Sequence, residues 1–204
     1  MSKKITVLID GGHLRSYLKK AQKPLDANYI EKVGLACGLA TEEIMRILYY
    51  DCAMFNGQTK LPISRTVQLF TQNTPYLHDL ARKDLFAVRR GVLKFRGYVV
   101  ERGHQPSNPP VDSDFTAKFE QKGVDMRIGL DMATIAANRS VELIGLMTND
   151  TDCVPAMKLV RRAGIQVALL CVPGCNPAPE LLVLSCITTF MYDNVWGCLD
   201  MPRS

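Results

Sequence analysis

Continuous apolar runs, each bounded by turn residues, are the main pattern along this chain. Runs of this kind are typical of parallel strands that are covered on both faces. The pattern predicts strands at 5–10, 44–52, 92–102, 141–150 and 165–172, and an edge strand at 187–193. The strand at 92–102 is less apolar than the others.

Helical patterns lie between these runs. A helical segment follows Gly12, and further helices are predicted at 27–40, 74–91, 124–138 and 152–164. The segment 74–91 begins at a Thr-Pro pair and ends on a glycine, which are common start and stop signals. The alternation of strands and helices predicts an α/β fold with a parallel sheet and right-handed crossovers. Three prolines in 104–114 predict a surface loop.

Composition favours one folded domain. The chain has 204 residues, of which 47% are hydrophobic, enough for a full core. We expect a single domain over 1–204, with a core at about 5–172 and a C-terminal extension at 173–204. The formal net charge of +5 fits nucleic-acid contact, and it fits an ordinary protein surface equally well.

Cysteine usage and the apolar runs bear on the cellular compartment. The seven cysteines form no C-x-x-C pair, which predicts reduced thiols and argues against structural zinc. The apolar run at the N-terminus is too short for a signal peptide. No run approaches the ~20 residues that span a bilayer. These features predict a cytoplasmic protein with no membrane partner.

Aspartates stand where predicted strands end and helices start. Asp10 closes the first strand and Asp150 closes the strand at 141–150. In an open parallel sheet such carboxylates share one crevice if their strands are neighbours where the strand order reverses. Asp125 and Asp152 lie at helix starts, where capping is the competing explanation. Asp51 ends the second strand, as a residue on the rim of the crevice or as a surface charge.

Carboxylates gathered in one crevice repel each other unless a cation neutralises them. Hard cations prefer oxygen ligands, so the aspartates predict Mg²⁺ or Mn²⁺. The sequence lacks the motifs of three other kinds of α/β site. The chain has neither the G-x-G-x-x-G of dinucleotide folds nor the P-loop sequence. Gly12 occupies the position at which a phosphatase of the haloacid-dehalogenase type would have its second aspartate.

Three segments in this order, IDGGHL, KGVDMRIGLDM and TNDTDCVPAMKLVRRAGIQV, resemble the NYN-domain family. That family is a branch of the PIN-like nucleases, and the similarity is nearest to its LabA-like members. The resemblance covers roughly 5–172. It implies a Rossmann-like, three-layer α/β fold with a mainly parallel central sheet, an acidic site for a divalent metal, and RNA cleavage.

The resemblance also implies roles for individual acids. Asp10 matches the first-strand acid, Asp125 the acid of K-G-V-D, and Asp131 the second acid of that segment. Asp150 and Asp152 match the pair that follows the later strand. Asp131 is six residues after Asp125, about 120° around a helix, so it is either a supporting or substrate-side group or a surface charge.

Some positions depart from the family pattern. His13 stands where the family usually has Asn, Thr148 and Asn149 replace Ser-Gly, and Cys153 replaces Phe. The acids are retained, so catalysis is still implied. We expect His13, Thr148 and Asn149 to support the site or to face the substrate.

The predicted reaction is metal-dependent hydrolysis of RNA, with single-stranded RNA as the expected partner. Asp10 and Asp150 are expected to bind the metal, and Asp125 and Asp152 to complete the site directly or through water. Basic residues that would hold phosphates, unless they form only a solvated face, are Arg89, Arg90, Lys94, Arg96, Lys158, Arg161 and Arg162.

Several alternatives stay open on sequence alone. The interleaved Phe95 and Tyr98 suit a core as well as they suit base stacking. The chain is alternatively a catalytically weak or inactive RNA-binding or scaffold module of the same fold. A metal-dependent phosphatase of small molecules is a third reading. Assembly into a homo-oligomer is left open.

Overall fold

Strands and helices alternate along the chain in the computed structural model, which describes residues 2–38, 42–71, 73–100, 103–191 and 198–200. The strands are β1 (Lys3–Asp10), β2 (Glu42–Cys52), β3 (Asn56–Lys60), β4 (Val67–Thr71), β5 (Phe86–Val100), β6 (Phe115–Lys122), β7 (Leu143–Met147), β8 (Gln166–Cys171), β9 (Ile187–Met191) and β10 (Cys198–Asp200). The helices are α1 (Gly11–Lys20), α2 (Ala27–Ala36), α3 (Pro75–Leu80), α4 (Val124–Asn138), α5 (Val154–Arg162) and α6 (Pro179–Leu184).

Eight strands form the central sheet, in the order β10-β9-β8-β7-β1-β2-β5-β6. Neighbouring strands from β9 to β5 run parallel, whereas β10 and β6 pair antiparallel at the two edges. Apolar side chains of α1, α2 and α3 pack on one face, and those of α4, α5 and α6 on the other. The predicted three-layer α/β fold with a mainly parallel sheet is confirmed.

Strand β1 lies where the strand order reverses. It pairs with β2 on one side and β7 on the other, with Ile9 opposite both Tyr49 and Met147. Val7 and Leu8 are completely buried, on opposite faces of the sheet. A shared crevice requires that the first strand and the strand before Asp150 be neighbours. Strands β1 and β7 meet this requirement.

The predicted helix at 74–91 is wrong beyond its first turns. Helix α3 ends at Leu80, Leu85 adopts a left-handed φ of 66°, and β5 begins at Phe86. Phe86 pairs with Ile47 of β2, and the parallel pairing continues to Gly91. Pairing with β2 and burial of Phe86 therefore override the local helix preference of this segment. The strand predicted at 92–102 is the antiparallel second half of β5, and its last two residues lie outside the described ones.

For the other elements, the observed limits differ less from the predicted ones. Helix α4 has the predicted limits, and α2 ends four residues early, with 39–40 outside the described residues. Strand β7 ends at Met147, three residues before Asp150. Strand β9 is not an edge strand, because β10 pairs with it, and 192–193 lie outside the described residues. Ahead of α5 the chain makes a 3-10 turn at Thr151–Cys153.

The β3–β4 hairpin and β6 were not predicted. Phe55 and Phe70 from the hairpin region pack against Phe95 and Phe119, with ring centroids 5.4 to 6.1 Å apart. Tyr98 contacts Phe95 edge to face at 5.2 Å. Phe95 and Tyr98 are thus packed within an aromatic cluster that joins the hairpin to the antiparallel end of the sheet.

The segment after Val172 contributes to the fold. Helix α6 buries Leu181, and β9 adds to the central sheet beside β8. Among the cysteines whose side chains are described none forms a disulfide, and four are buried. The described helices are all too short or too polar to cross a membrane.

Candidate functional site

Four aspartates gather at the carboxyl edge of the parallel sheet. Asp10, Asp125 and Asp150 line one cavity of about 600 Å³, here called the acidic cavity. Asp125, Asp150 and Asp152 each place a carboxylate oxygen within 4.8 Å of the other two. These four residues, predicted from strand ends and helix starts, thus lie together.

Asp10 joins β1 to α1. The backbone N–H groups of Gly12 and His13 donate to its Oδ1 at 2.9 and 3.2 Å, so its carboxylate caps the helix. The hydroxyl of Thr148 donates to Oδ2 at 3.0 Å. A carboxylate offers about four lone-pair sites, and these bonds use three. Gly11 permits the start of α1 to lie close against β2, since a Cβ there would lie 2.6 Å from the carbonyl oxygen of Tyr50.

Thr148 connects the ends of β1 and β7. Its buried hydroxyl donates to Asp10 and accepts from the backbone N–H of Asp150 at 3.1 Å. Asp150 in turn accepts from the N–H of Asp152 at 2.9 Å through Oδ1. The segment from Thr148 to Asp152 is therefore held by its own hydrogen bonds, with Asp150 at the acidic cavity and Asp152 within 4.8 Å of Asp150 and Asp125.

Asp125 reaches the site from the other side, out of β6. Gly123 adopts a left-handed φ of 80°, and this turn leads from β6 into the first turn of α4. Asp125 lies in that first turn, where the helix dipole favours a negative charge. This placement at the junction is the condition for Asp125 to share the site with Asp10 and Asp150.

The neighbouring carboxylates raise the affinity of Asp125 for a proton. The pKa of Asp125 lies above its ordinary value, first because of partial burial and then because of Asp150, Asp10 and Asp152. The same causes raise the pKa of the Cys153 thiol to about 12. A cluster made only of oxygen donors, with excess negative charge, fits a hard divalent cation such as Mg²⁺ or Mn²⁺.

His13 also lines the acidic cavity. Its Nε2 is buried without a hydrogen-bond partner among the described residues. Burial lowers the pKa of His13, Asp10 opposes that shift, and Lys20 adds to it. His13 is therefore a neutral group beside the acids at pH 7. Its predicted substrate-side role fits this placement.

Asn149, also predicted to support the site, holds a neighbouring segment. Its Oδ1 accepts from the N–H of Ala178 at 2.9 Å, and its Nδ2 donates to the carbonyl of Asn176 at 3.4 Å. Asn149 therefore ties the chain before α6 to the rim of the acidic cavity.

Asp51 is not the rim or surface charge that was expected. It is fully buried, and Nη1 of Arg15 donates to both of its oxygens at 2.7 and 2.6 Å. The hydroxyl of Tyr76 and the N–H of Cys52 add bonds at 2.8 and 2.7 Å. A carboxylate at this depth needs such partners, and two of them come from other elements of the chain.

Apart from Gly12 and Thr151, which stand within two residues of predicted acids, sequence reasoning missed two residues of the acidic cavity, Arg15 and Gln121. Arg15 lies four residues, about one helical turn, after Gly11, and Gln121 stands two residues before Gly123. Neither carries a motif of its own. Only their proximity in sequence to the D-G-G and K-G-V-D segments marks them.

Asp131 lies apart from this cavity. It accepts from the Tyr50 hydroxyl at 2.9 Å and from Nε of Arg89 at 3.0 Å. Both Asp131 and Arg89 line a different cavity, of about 470 Å³, beside Arg46. The rotation of about 120° expected from its helical spacing agrees with this separation.

The predicted basic residues are spread over the surface, and none of the seven lines the acidic cavity. Arg89 pairs with Asp131, and Arg96 pairs with Glu120. Arg90 and Lys94 are exposed and form no ion pair within the described residues. The α5 cations are also exposed, with two of them in the last turn, at the end of the helix away from Asp152: Lys158, Arg161 and Arg162.

Comparison with known proteins addresses the fold alone. No protein-family model and no curated protein matches this chain. The crystal structure of a protein of unknown function from Vibrio parahaemolyticus is similar, with 18% sequence identity over 97% of each chain and a TM-score of 0.57. The chain therefore shares its α/β fold with that protein.

Proposed function

We propose that this chain is a divalent-metal-dependent ribonuclease that hydrolyses phosphodiester bonds of single-stranded RNA. The observation that carries the proposal is the group formed by Asp125, Asp150 and Asp152, with carboxylate oxygens within 4.8 Å of one another. Asp10 lines the same cavity as two of them. The resemblance to NYN-domain nucleases, drawn from the same acids, supports the assignment.

Asp125, Asp150 and Asp152 would hold a Mg²⁺ or Mn²⁺ ion, and Asp10 retains lone-pair capacity to assist them. A cation bound there would offset the negative charge of the phosphate and activate water for attack. The all-oxygen donor set matches that use better than it matches zinc.

The protein groups around the acids supply orientation. Thr148 and the N–H groups of Gly12 and His13 fix the Asp10 carboxylate. His13 also lines the cavity, and its Nε2 is buried with no hydrogen-bond partner among the described residues. Fixed groups of this kind lower the cost of positioning a phosphodiester.

The surroundings favour a polynucleotide over a small phosphate ester. Arg90 follows Arg89 on β5, and Arg89 is level with Tyr50 and Asp10 in the strand register. With strands about 4.8 Å apart, Arg90 is therefore about 10 Å across the sheet from the Asp10 backbone. Exposed cations at that distance suit the next phosphates of a bound strand.

One observation favours the second candidate, a catalytically weak RNA-binding module. Both oxygens of Asp10 already accept hydrogen bonds from the protein. In this second candidate Asp10 serves mainly as a helix cap, and a cation would depend on the three remaining acids.

An assay with two substrates separates these functions. End-labelled single-stranded RNA is incubated with Mn²⁺, with Mg²⁺ or with EDTA, and p-nitrophenyl phosphate is tested in parallel. The proposal predicts RNA cleavage that stops in EDTA and returns when metal is restored. RNA binding without cleavage would favour the binding module, and metal-dependent hydrolysis of the small ester alone would favour a phosphatase.

A further inference from the structure

A second cavity adjoins the acidic cavity. Its volume is about 260 Å³, and it shares His13 and Asn149 with its neighbour. We call it the side cavity. Because the two cavities have common walls, a ligand group in the side cavity would lie next to whatever the acids hold.

One face of α1 forms one wall of the side cavity. The lining residues follow the helical spacing i, i+3, i+4, i+7 and are His13, Ser16, Tyr17 and Lys20. Residues at this spacing share one side of a helix. The wall therefore belongs to a helix that Asp10 caps, and it is positioned together with the acidic cavity.

The turn after β8 forms the opposite wall, with Pro173, Gly174 and Cys175 among its residues. Gly174 takes a left-handed φ of 68°, and the N–H of Cys175 donates to the Val172 carbonyl at 3.0 Å. The Asn149 side chain holds the following residues through Asn176 and Ala178. This wall is consequently fixed before any ligand arrives.

The chemistry of the walls suits a flat, neutral ring with a polar edge. Tyr17, Val172 and Pro173 provide apolar surface. The Ser16 hydroxyl and the side chain of Asn149 are polar groups of the lining residues. Lys20 is the single lysine or arginine among the lining residues, whereas tight phosphate recognition commonly uses several charge-assisted bonds.

We propose that the side cavity binds one nucleobase of the RNA strand, next to the phosphate held at the acids, and so gives cleavage a base preference. The identification of the strand as RNA rests on the proposed ribonuclease function. A base would lie against the Tyr17 side of the cavity and present its edge to Ser16. Stacking of a base on an aromatic ring contributes about 1–3 kcal/mol to binding of single strands.

The test uses neutral ligands, so that the acids and the metal do not take part. Adenosine, guanosine, cytidine, uridine and, as a control, ribose are titrated into the whole chain in EDTA and followed by ¹H–¹⁵N NMR. The expected result is a shift of the amides of His13, Ser16 and Gly174 by nucleosides and not by ribose. Affinities should differ at least threefold between bases.

Two variants fill the cavity from opposite walls, Ser16→Tyr and Cys175→Trp. Each should weaken nucleoside binding at least fivefold while leaving the Mn²⁺-dependent rise in melting temperature intact. Lys19→Tyr is the matched control, because Lys19 is on α1 but does not line the side cavity. It should bind nucleosides like the unaltered chain.

The outcomes separate this inference from the ribonuclease proposal. Nucleoside binding at these amides without RNA cleavage would uphold the base site and defeat the nuclease. Metal-dependent cleavage without any nucleoside binding would overturn the base site alone. Shifts of the same amides by inorganic phosphate, with none by nucleosides, would also overturn it and identify an anion pocket.

Discussion

Asp125 is the acid of the cavity whose protonation is changed by partial burial and by its neighbours. Its pKa is raised, so the folded chain binds a proton there more tightly than the unfolded chain does. Below the ordinary aspartate pKa of about 3.9 both states are protonated and the group costs nothing. As pH rises through the folded pKa, the charge destabilises the fold, and it continues to do so at neutral pH.

We therefore expect Asp125→Asn to melt at a higher temperature than the unaltered chain in EDTA at pH 7. The difference should shrink towards zero as pH falls to about 3.9. Thermal melts across this pH range measure it. Asp79→Asn, which removes an exposed acid outside the acidic cavity, is the control. A lower melting temperature for Asp125→Asn at pH 7 would contradict the account.

The buried ion pair of Asp51 with Arg15 should contribute to the free energy of unfolding. Asp51→Ala leaves the Arg15 guanidinium beside a site from which its partner has been removed. Breaking a buried ion pair costs about 3 kcal/mol, so the denaturation midpoint should fall accordingly. Glu120→Ala, which breaks exposed pairs with Arg96 and Lys122, should change it far less. Equal effects in urea denaturation would mean that the buried pair is not stabilising.

The positions of some aspartates could be predicted from the sequence, whereas the burial of Asp51 could not. Asp10 and Asp150 could be predicted because each follows an apolar strand and both strands meet at one edge. The burial of Asp51 could not, because Arg15 is 36 residues away in sequence and Tyr76 is 25 residues away. A carboxylate at a strand end looks the same in sequence whether water or an arginine solvates it.

At the scale of elements, the parallel strands were predictable and the antiparallel additions were not. Strands β1, β7 and β8 are covered on both faces, so their sequences are continuously apolar. Strand β6 has one covered face and alternates Phe115, Ala117 and Phe119 with polar residues. Its role depends on pairing with β5, which the local sequence does not reveal.

Gly123 is the element junction on which the position of Asp125 depends. Gly123→Ala forces a side chain into the left-handed region, which should cost about 1 kcal/mol and shift the start of α4. Mn²⁺ affinity, measured by titration calorimetry, should fall as well. Gly97→Ala is a matched control, since Gly97 has a φ of 100° and equally open surroundings in β5. It should lose stability but keep its Mn²⁺ affinity.

At the scale of the whole molecule, a net charge of +5 surrounds a cluster of four acids. Such a distribution attracts a polyanion to the surface and leaves the acids for a cation. Arg90 and Lys94 follow one another along β5 beyond the level of Asp10, whereas Arg161 and Arg162 end α5. RNA contact should therefore be stronger along β5.

Replacing Arg90 and Lys94 together with Ala should weaken RNA binding and lower the slope of log affinity against log salt by about 1. The paired change of Arg161 and Arg162 to Ala should have a smaller effect. Fluorescence anisotropy with labelled RNA at several salt concentrations measures both. An unchanged slope in the first variant would remove β5 from the binding surface.

The main proposal is that Asp125, Asp150 and Asp152, assisted by Asp10, form one metal site that cleaves RNA. Its most direct test is the single-turnover rate of single-stranded RNA cleavage as a function of Mn²⁺ concentration. Asp150→Asn keeps the side-chain shape but removes a charge from the group. We predict a rate lowered on the order of a hundredfold or more, with a shift to higher Mn²⁺ concentration, while Asp79→Asn is unaffected. Cleavage by Asp150→Asn at the unaltered rate and Mn²⁺ dependence would contradict the account.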